Sequence, residues 1–457
     1  MELRSYQHRM LEESRALLKQ GVRRLLIVSP TGSGKTCLVA TMIGNASRRG
    51  KRCFFNVHRQ ELLDQSSDTF RACEIPHSFI AANAFHDPRA PVQLASVQTL
   101  ARRIERVRKP DLVVWDEAHH VAAKSWASVA AAYPDAIHVG LTATPQRLDG
   151  AGLADHFDAI VLGPTVQTLI TDGFLAPYRY FEPSTIDTSG LHQRMGDFVT
   201  AEAEALVDKP TITGNAIAEY RRHCDGQQGV AFCVSIRHSQ HVAAEFNAAG
   251  IAAAHIDGSM DRAERRACIE DFRQGRVRML CNVDLISEGF DLPAMAAAIL
   301  LRPTQSLALY LQQVGRALRP GKPWAFVLDH VGNRLRHGLP DDDREWSLEG
   351  RRKRQGATQA FPVRQCPACF ATLRGGAAVC PCGHVFEAVP REVVQVAGEL
   401  AEVDTAAVRK RPVYDQDRRG ARSVEDLIAY GRTRGMKNPE GWARHVHEAR
   451  MAKQRRA

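Results

Sequence analysis

Long hydrophobic runs are missing from this 457-residue chain. The longest, around Ala294–Leu301, is strand-sized and far short of the roughly 18 residues a membrane span needs. An apolar leader is missing as well, since Met1-Glu2-Leu3-Arg4-Ser5-Tyr6-Gln7 is polar from its first residue. A soluble, cytoplasmic protein without a membrane partner is therefore expected. No short-period repeat is present. The eleven cysteines are an odd number, and seven of them (Cys37, Cys53, Cys73, Cys224, Cys233, Cys268, Cys281) stand singly, several inside apolar runs. Without a secretory signal these read as reduced core thiols rather than a disulfide framework. What is present is ordinary for a globular chain: 44% hydrophobic and 25% charged residues exclude wholesale disorder. At about 150 residues per domain, the length favours two or three domains.

The formal charge of +10 is unevenly placed. Residues 409–457 carry fourteen Lys/Arg against six Asp/Glu, a net +8, and a second basic cluster, Arg351–Arg354, follows the acidic run Asp341–Asp343. Such stretches attract polyanions by releasing condensed counterions, which makes nucleic acid the natural candidate partner. A solvated, solubilising tail would have the same composition, and charge does not separate the two. The remaining four cysteines fall within 17 residues, as Cys366-Pro-Ala-Cys369 and Cys380-Pro-Cys382-Gly-His384. Two tight thiolate pairs at this spacing suit a tetrahedral, structural zinc site with no open position for chemistry. The second pair is one residue short of the usual spacing, so the fourth ligand is Cys382 or His384.

Elsewhere short apolar runs alternate with helix-length segments, the pattern of parallel sheets covered by helices in an α/β fold. One series of strands is expected at Leu25–Ser29, Cys53–Val57, Val92–Ser96, Leu112–Asp116 and Ile137–Leu141. A second is expected at Gly229–Val234, Ala252–Ile256, Val277–Asn282, Ala296–Leu301 and Trp324–Leu328. Between them, residues 166–215 read as polar, strand-poor and interrupted by Pro177, Pro183 and Pro210, hence as a connector. The aromatics Phe174, Tyr178, Tyr180 and Phe181 within it are expected to pack lobe surfaces rather than stack on bases.

Between the first strand and a helix sits Ser29-Pro30-Thr31-Gly32-Ser33-Gly34-Lys35-Thr36. Glycines let a backbone wrap an anion, the helix N-terminus points at it, Lys35 adds charge, and the Thr36 hydroxyl suits Mg²⁺. Ser29 stands where glycine or alanine is usual, a small-for-small change. Eighty residues on, an apolar strand ends in Asp116-Glu117-Ala118-His119, two adjacent carboxylates suited to a Mg²⁺ ligand and a base for water.

Motif after motif, in order, residues 1–335 resemble superfamily 2 helicases and translocases with a DEAH box. Arg4-Ser-Tyr6-Gln7 resembles the adenine-reading Q motif, and residues 29–36 match motif I. Asn56-Val-His58-Arg59-Gln-Glu-Leu62 is similar to motif Ia, and Ala95–Leu100 to the next strand-end motif. Asp116–His119 stands as motif II and Leu141-Thr142-Ala-Thr144-Pro145 as motif III. Phe232–Ser235, Asn282–Asp291 and Gln312-Gln-Val-Gly315-Arg316-Ala-Leu-Arg319 follow as motifs IV, V and VI. More narrowly the chain resembles RadD-like and phage-encoded DEAH-box proteins, which carry cysteine modules after the motor. XPB-type and type I restriction motor subunits share the motor pattern.

The resemblance implies two tandem RecA-like lobes with ATP in the cleft between them. The expected organisation is lobe 1 at 1–165, a connector at 166–210 and lobe 2 at 211–335. A charged linker at 336–360, a zinc-ribbon-like module at 361–390 and a basic helical tail at 391–457 complete it. Gly32, Ser33, Gly34, Lys35 and Thr36 would hold the phosphates and Mg²⁺, with Asp116 completing the metal site. Arg4 and Gln7 would read adenine, and Gly289 and Asp291 would reach the nucleotide from motif V. Glu117 would position and deprotonate the attacking water. Gln312, Arg316 and Arg319 would act from lobe 2, the arginines as fingers, with one of them more a positioner. His119, Thr142 and Thr144 would couple nucleotide state to the track. The implied activity is nucleic-acid-stimulated ATP hydrolysis that moves along or remodels DNA rather than RNA. The rivals are an RNA helicase and a partner-activated ATP switch. A monomer is expected, because two lobes in one chain already complete an ATP site, with a protein partner docking through the zinc module and tail.

Overall fold

A computed structural model describes residues 3–349 except 83, 122, 148–149, 184–189, 195–196, 209, 284 and 286–294. Beyond these it describes 363–365, 372–374, 400–402, 424–425 and 427–428. The chain divides into two compact units, Met1–Glu402 and Val403–Ala457.

The first unit holds two seven-stranded sheets. The first is built from β1 (Arg24–Val28), β2 (Cys53–Val57), β3 (Ser78–Ile80), β4 (Val92–Ser96), β5 (Leu112–Trp115), β6 (Ile137–Thr142) and β7 (Ala159–Leu162). Their spatial order is β3-β4-β2-β5-β6-β1-β7, and every pairing is parallel. The central strands are buried on both faces, which is why they read as continuous apolar runs rather than alternating ones. Helices Lys35–Ser47, Gln60–Ala72, Val97–Arg103 and Lys124–Ala132 supply the crossovers. Trp115 is core, stacked on Trp126 with ring centroids 5.1 Å apart, and its indole Nε1 donates to His138 Nδ1 at 3.1 Å. Gly140 in β6 admits no side chain, since a Cβ there would lie 2.4 Å from the Phe157 ring.

The second sheet begins inside the stretch expected to be a connector. β8 (Tyr178–Pro183) precedes a short antiparallel pair, β9 (Gln193–Arg194) and β10 (Asp197–Phe198). Then come β11 (Gly229–Phe232), β12 (Ala253–Ile256), β13 (Met279–Asn282), β14 (Ala297–Leu300) and β15 (Ala325–Asp329). A separate pair, β16 (Val363–Gln365) with β17 (Thr372–Arg374), is antiparallel, and β18 (Leu400–Glu402) closes the series. The sheet runs β12-β13-β11-β14-β15-β8-β18, parallel except where β18 meets β8.

The strand-poor reading of 166–215 is therefore corrected. Pro177 and Pro183 bracket a six-residue strand instead of interrupting it, and β8 pairs in register with β15, Tyr178 opposite Ala325. Tyr178, Tyr180 and Phe181 are buried, and the Tyr180 hydroxyl donates to Asp329 Oδ2 at 2.8 Å. These aromatics pack the second core. Two further expectations shift. The linker expected from residue 336 begins as the end of helix Asn333–His337, followed by a segment of alternating half-buried and exposed residues to 349. The tail expected from residue 391 contributes β18 to the second sheet. Cys53, Cys224, Cys233 and Cys281 are buried and unpaired, as expected of core thiols, and burial pushes those of Cys53, Cys224 and Cys233 up to about 12. Among the described residues no helix is long and apolar enough to cross a membrane.

Candidate functional site

Topology assembles the first half of the site. Strands β5, β6 and β1 are neighbours, and their carboxyl ends release Asp116, Thr142 and the Ser29–Thr36 loop side by side. The Ser29 amide donates to the Thr142 carbonyl at 3.0 Å and the Asp116 amide to that of Asn56 at 3.0 Å, pinning both strand ends. Ligand sites in open parallel sheets lie at such carboxyl edges.

The loop is shaped for an anion. Gly32 and Gly34 have φ of +84° and +76°, and Gly34 caps the helix that opens with Lys35. Ser29 is accommodated by its neighbours. Its hydroxyl hydrogen-bonds to that of Ser33 at 2.7 Å, and at Gly163 a Cβ would lie 2.5 Å from Ser29 Oγ. Lys35 Nζ donates to the carbonyls of Ser29 at 2.9 Å and Pro30 at 3.3 Å, folded back on its own loop. Burial lowers its pKa, against the pull of Glu117 and Asp116 and with the push of Arg316 and Arg319.

Gln7 braces the loop from outside. Its Nε2 donates to the carbonyls of Gly34 at 3.0 Å and Ser33 at 3.2 Å, while its Oε1 accepts the Arg4 amide at 2.8 Å. Both ends of the amide expected to meet adenine are thus engaged within the protein here. The Tyr6 hydroxyl adds a bond to Ser33 O at 2.6 Å. The Arg4 guanidinium lies 4.4 Å over the Phe174 ring, which packs edge-on to Tyr6. Sequence reasoning named Arg4 and Gln7 but missed Phe174 as their partner. Only proximity across 170 residues brings it there.

The carboxylate pair is buried. Glu117 sits in the left-handed region at φ +52°, and its amide donates to Asp116 Oδ1 at 3.1 Å. Burial, then Glu117, pushes the Asp116 carboxyl up to about 6, with Lys35 and His58 opposing. Glu117 Oε2 has no hydrogen-bond partner among the described residues and lies 3.4 Å from His119 Nδ1. His119 Nδ1 is also 3.4 Å from Thr142 Oγ1. That hydroxyl donates to the Thr144 carbonyl at 2.7 Å and accepts the Thr144 amide at 3.1 Å. A single chain of contacts therefore runs from Glu117 through His119 to Thr142 and Thr144.

The other half comes from the second sheet. Helix Leu307–Ala317, between β14 and β15, carries Gln312 and Arg316, both buried, and Arg319 follows its C-terminal end. The helix abuts the phosphate loop at Gly315, where a Cβ would lie 2.7 Å from Thr31 Cβ. At the carboxyl end of β2, Arg59 Nη1 reaches the Leu285 carbonyl of the second lobe at 3.4 Å. Gly289 and Asp291 lie outside the described residues, as do Cys366, Cys369, Cys380, Cys382 and His384. Among the described residues no His/Cys/Asp/Glu cluster suits a metal on its own.

The donor set fits a magnesium-bound nucleoside triphosphate. A glycine cradle at a helix N-terminus, with a lysine and a threonine beside it, would hold phosphates, and in the buried carboxylate pair Glu117 Oε2 is left an acceptor without a donor. A phosphate loop on one parallel sheet, met by arginines from a second, defines the class of two-lobe nucleotide-driven motors. Residues 1–147 match the family described as type III restriction enzyme, res subunit, and residues 213–321 the helicase conserved C-terminal domain. The chain belongs to the superfamily 2 helicases, which hydrolyse ATP.

It is 37% identical to a 51.5 kDa protein of a Lactococcus phage, over 84% of this chain and 83% of that one. It is 30% identical to irc3 of Schizosaccharomyces pombe, named as a candidate mitochondrial ATP-dependent helicase, over 70% of this chain. The chain spans only 55% of that relative's length. Among solved structures it resembles the ATP-dependent Type ISP restriction-modification enzyme LlaBIII bound to DNA, with a TM-score of 0.54 and 17% identity. That likeness, which covers 72% of this chain and 28% of the enzyme, is one of fold.

Proposed function

We propose that this protein is a nucleic-acid-dependent ATPase of the DEAH-box group, nearest to RadD-like and phage-encoded members, which tracks along or remodels DNA in repair, recombination or phage DNA metabolism. The observation that carries the reading is the seating of the Arg316 helix on the phosphate loop, which puts two lobe-2 arginines in the electrostatic field of Lys35. Lys35 and Thr36 would hold the phosphates, and Thr36 with Asp116 would hold Mg²⁺. When bound, the ion neutralises charge on the transferred phosphoryl group. Glu117 takes the proton of the attacking water, and Arg316 and Arg319 stabilise charge on the γ-phosphoryl oxygens, with Gln312 beside them. His119, Thr142 and Thr144 relay the state of Glu117 to the β6 end. Gly289 and Asp291 complete the nucleotide contacts from motif V. Arg4 and Gln7 read adenine once Gln7 exchanges its loop carbonyls for the base.

DNA as the track is supported by the match to a restriction-enzyme family and by the fold's likeness to an enzyme seen bound to DNA. The two lobes lie in one chain, so we take the working form to be a monomer, cytoplasmic, with the basic tail and cysteine module engaging DNA or a protein partner. The test is ATP hydrolysis alone and with single-stranded DNA, duplex DNA, forked DNA and RNA, at two salt concentrations, with Lys35→Ala as control. The expected result is strong stimulation by a DNA, weakened by salt and lost in the variant. Stimulation by RNA alone would transfer the reading to an RNA helicase. Hydrolysis that no nucleic acid raises would sink the autonomous motor and leave a partner-activated switch.

The structural zinc belongs to this proposal. It rests on the spacing of Cys366, Cys369, Cys380 and Cys382, with His384 as the alternative fourth ligand, and on the antiparallel pairing of β16 with β17 on either side of the first two. Elemental analysis of the purified protein should find about one zinc per chain. A metal-free protein with unchanged melting behaviour would remove zinc from the reading.

A further inference from the structure

The segment that leaves the second lobe after helix Asn333–His337 returns to the first. Its start is locked onto lobe 2. The Tyr178 hydroxyl of β8 donates to Asp341 Oδ1 at 2.5 Å, and the Tyr310 hydroxyl of the Arg316 helix donates to the Gly338 carbonyl at 3.1 Å. Gly338 has φ +79°, and the Asp342 carboxylate that covers it accepts the Leu339 amide at 2.8 Å. Arg344 holds this turn from within, donating to the carbonyls of His337, Leu339, Pro340 and Asp342 at 3.1, 2.6, 3.1 and 2.9 Å. A guanidinium with four backbone acceptors fixes a loop more firmly than any single bond.

The far end is locked onto lobe 1. Trp346 and Leu348 pack against the first core, and the Leu348 carbonyl accepts the amides of Leu153 at 2.7 Å and Ala154 at 3.0 Å. Between the two ends the chain alternates like a strand, with Asp342, Arg344, Trp346 and Leu348 turned inward and Asp343, Glu345, Ser347 and Glu349 exposed. The strap also walls a cavity of about 210 Å³, lined as well by Pro30 and Thr31 of the phosphate loop and Gly315 of the arginine helix.

We propose that residues 338–348 form an interlobe strap that holds the arginine helix in register with the phosphate loop, with Arg344 and Trp346 as its positioning residues. The proposal rests on the motor reading of the site. The seven steps from Asp341 to Leu348 reach only about 25 Å when fully extended. A tether this short leaves the lobes little freedom to part while both ends hold. By keeping Arg316 at high effective concentration near Lys35, the strap favours the closed cleft before any nucleic acid binds. Loosening it should make closure depend more on the nucleic acid.

Two variants test this differently. Trp346→Ala releases the lobe-1 anchor, whereas a Gly-Ser-Gly-Ser insertion after the exposed Glu345 keeps both anchors and adds slack. Fluorophores placed through unnatural amino acids at the exposed Glu105 of lobe 1 and Glu270 of lobe 2 report the interlobe distance without nucleotide or nucleic acid. Both variants should broaden and lengthen that distance. Each should raise the DNA concentration giving half-maximal ATPase about three- to tenfold, with kcat at saturating DNA changed less than about twofold. An unchanged distance distribution in the insertion variant overturns the proposal, as does a loss confined to kcat. Should Trp346→Ala melt out, the insertion alone decides. The distance measurement needs no turnover, so failure of the motor reading and failure of the strap would be seen separately.

Discussion

Arg316→Ala should lower kcat by about a thousandfold or more at saturating nucleic acid, with nucleotide affinity changed by less than about tenfold. Arg316 is buried on the helix Leu307–Ala317, whose Gly315 abuts Thr31, so the guanidinium cannot drift into solvent when the lobes meet. Together with Arg319 it pushes the Lys35 pKa down, so the three cations share one electrostatic neighbourhood with Asp116 and Glu117. Three cations against two carboxylates leave the site net positive, and the anion fitted to its glycine cradle is a polyphosphate. The stabilisation each arginine gives grows as charge spreads over the γ-phosphoryl oxygens, which is the reason the loss falls on kcat rather than on binding. Arg319→Ala belongs in the same experiment. The arginine whose loss is the larger in kcat is the finger, and the other, with a larger effect on nucleotide affinity, is the positioner. Single-turnover hydrolysis with titration of a fluorescent ATP analogue separates the two quantities. If both variants stay within about fivefold of wild type in kcat, the cross-lobe mechanism is wrong.

Most of the residues that the structure gathers at the site were legible because each part is local in sequence. A loop of fixed spacing, a strand ending in two carboxylates, and a helix bearing Gln312 and Arg316 with Arg319 just past its end each announce themselves within ten residues. The central strands were legible for the same reason: strands buried on both faces are short apolar blocks. What escaped was defined by contacts distant in sequence. β8 hid because its tyrosines look polar and its prolines look like breaks, yet a hydroxyl that reaches Asp329 makes Tyr180 a core residue. The three-residue β3 and the edge strand β7 were too short or too exposed to form a block. Gly163 gave no sign that it makes room for Ser29. The strap hid in plain view, for Asp342, Arg344, Trp346 and Leu348 alternate with polar residues in a stretch whose net charge reads as a linker. Inward-facing Asp and Arg defeat a hydrophobic pattern when their partners are backbone carbonyls and amides. Gln7, the glutamine expected to read adenine, is a subtler case. Its position was found, but its bonds to the loop carbonyls were not foreseeable from the motif.

Glu117→Gln should leave ATP binding intact, lower kcat by about a hundred- to ten-thousandfold, and raise the melting temperature. The geometry isolates the base. The Glu117 backbone is fixed by its amide bond to Asp116 Oδ1 and by the short helical turn Ala118–His120 that follows, so an isosteric amide keeps the loop and removes the proton acceptor together with its charge. The stability gain follows from the neighbouring carboxyl. Asp116 titrates at about 6 in the fold because burial, and then the charge of Glu117, oppose its ionisation. A carboxyl that binds its proton more tightly folded than unfolded costs stability as pH rises through that interval, here from about pH 4 to about pH 6, and the full cost is present at neutral pH. Removing the Glu117 charge relieves part of that cost and takes from buried Lys35 its largest favourable charge, for an expected net gain of about 1 kcal/mol or a few degrees in a chain of this size. In metal-free buffer at pH 7.5 the variant should therefore melt above wild type, and the difference should shrink at pH 4.5, where Asp116 is already protonated. A base that can be lost with a gain in stability is one the fold tolerates for its chemistry alone. A variant that melts lower at both pH values, or turns over within tenfold of wild type, would make Glu117 a structural carboxylate and leave the attacking water without a base.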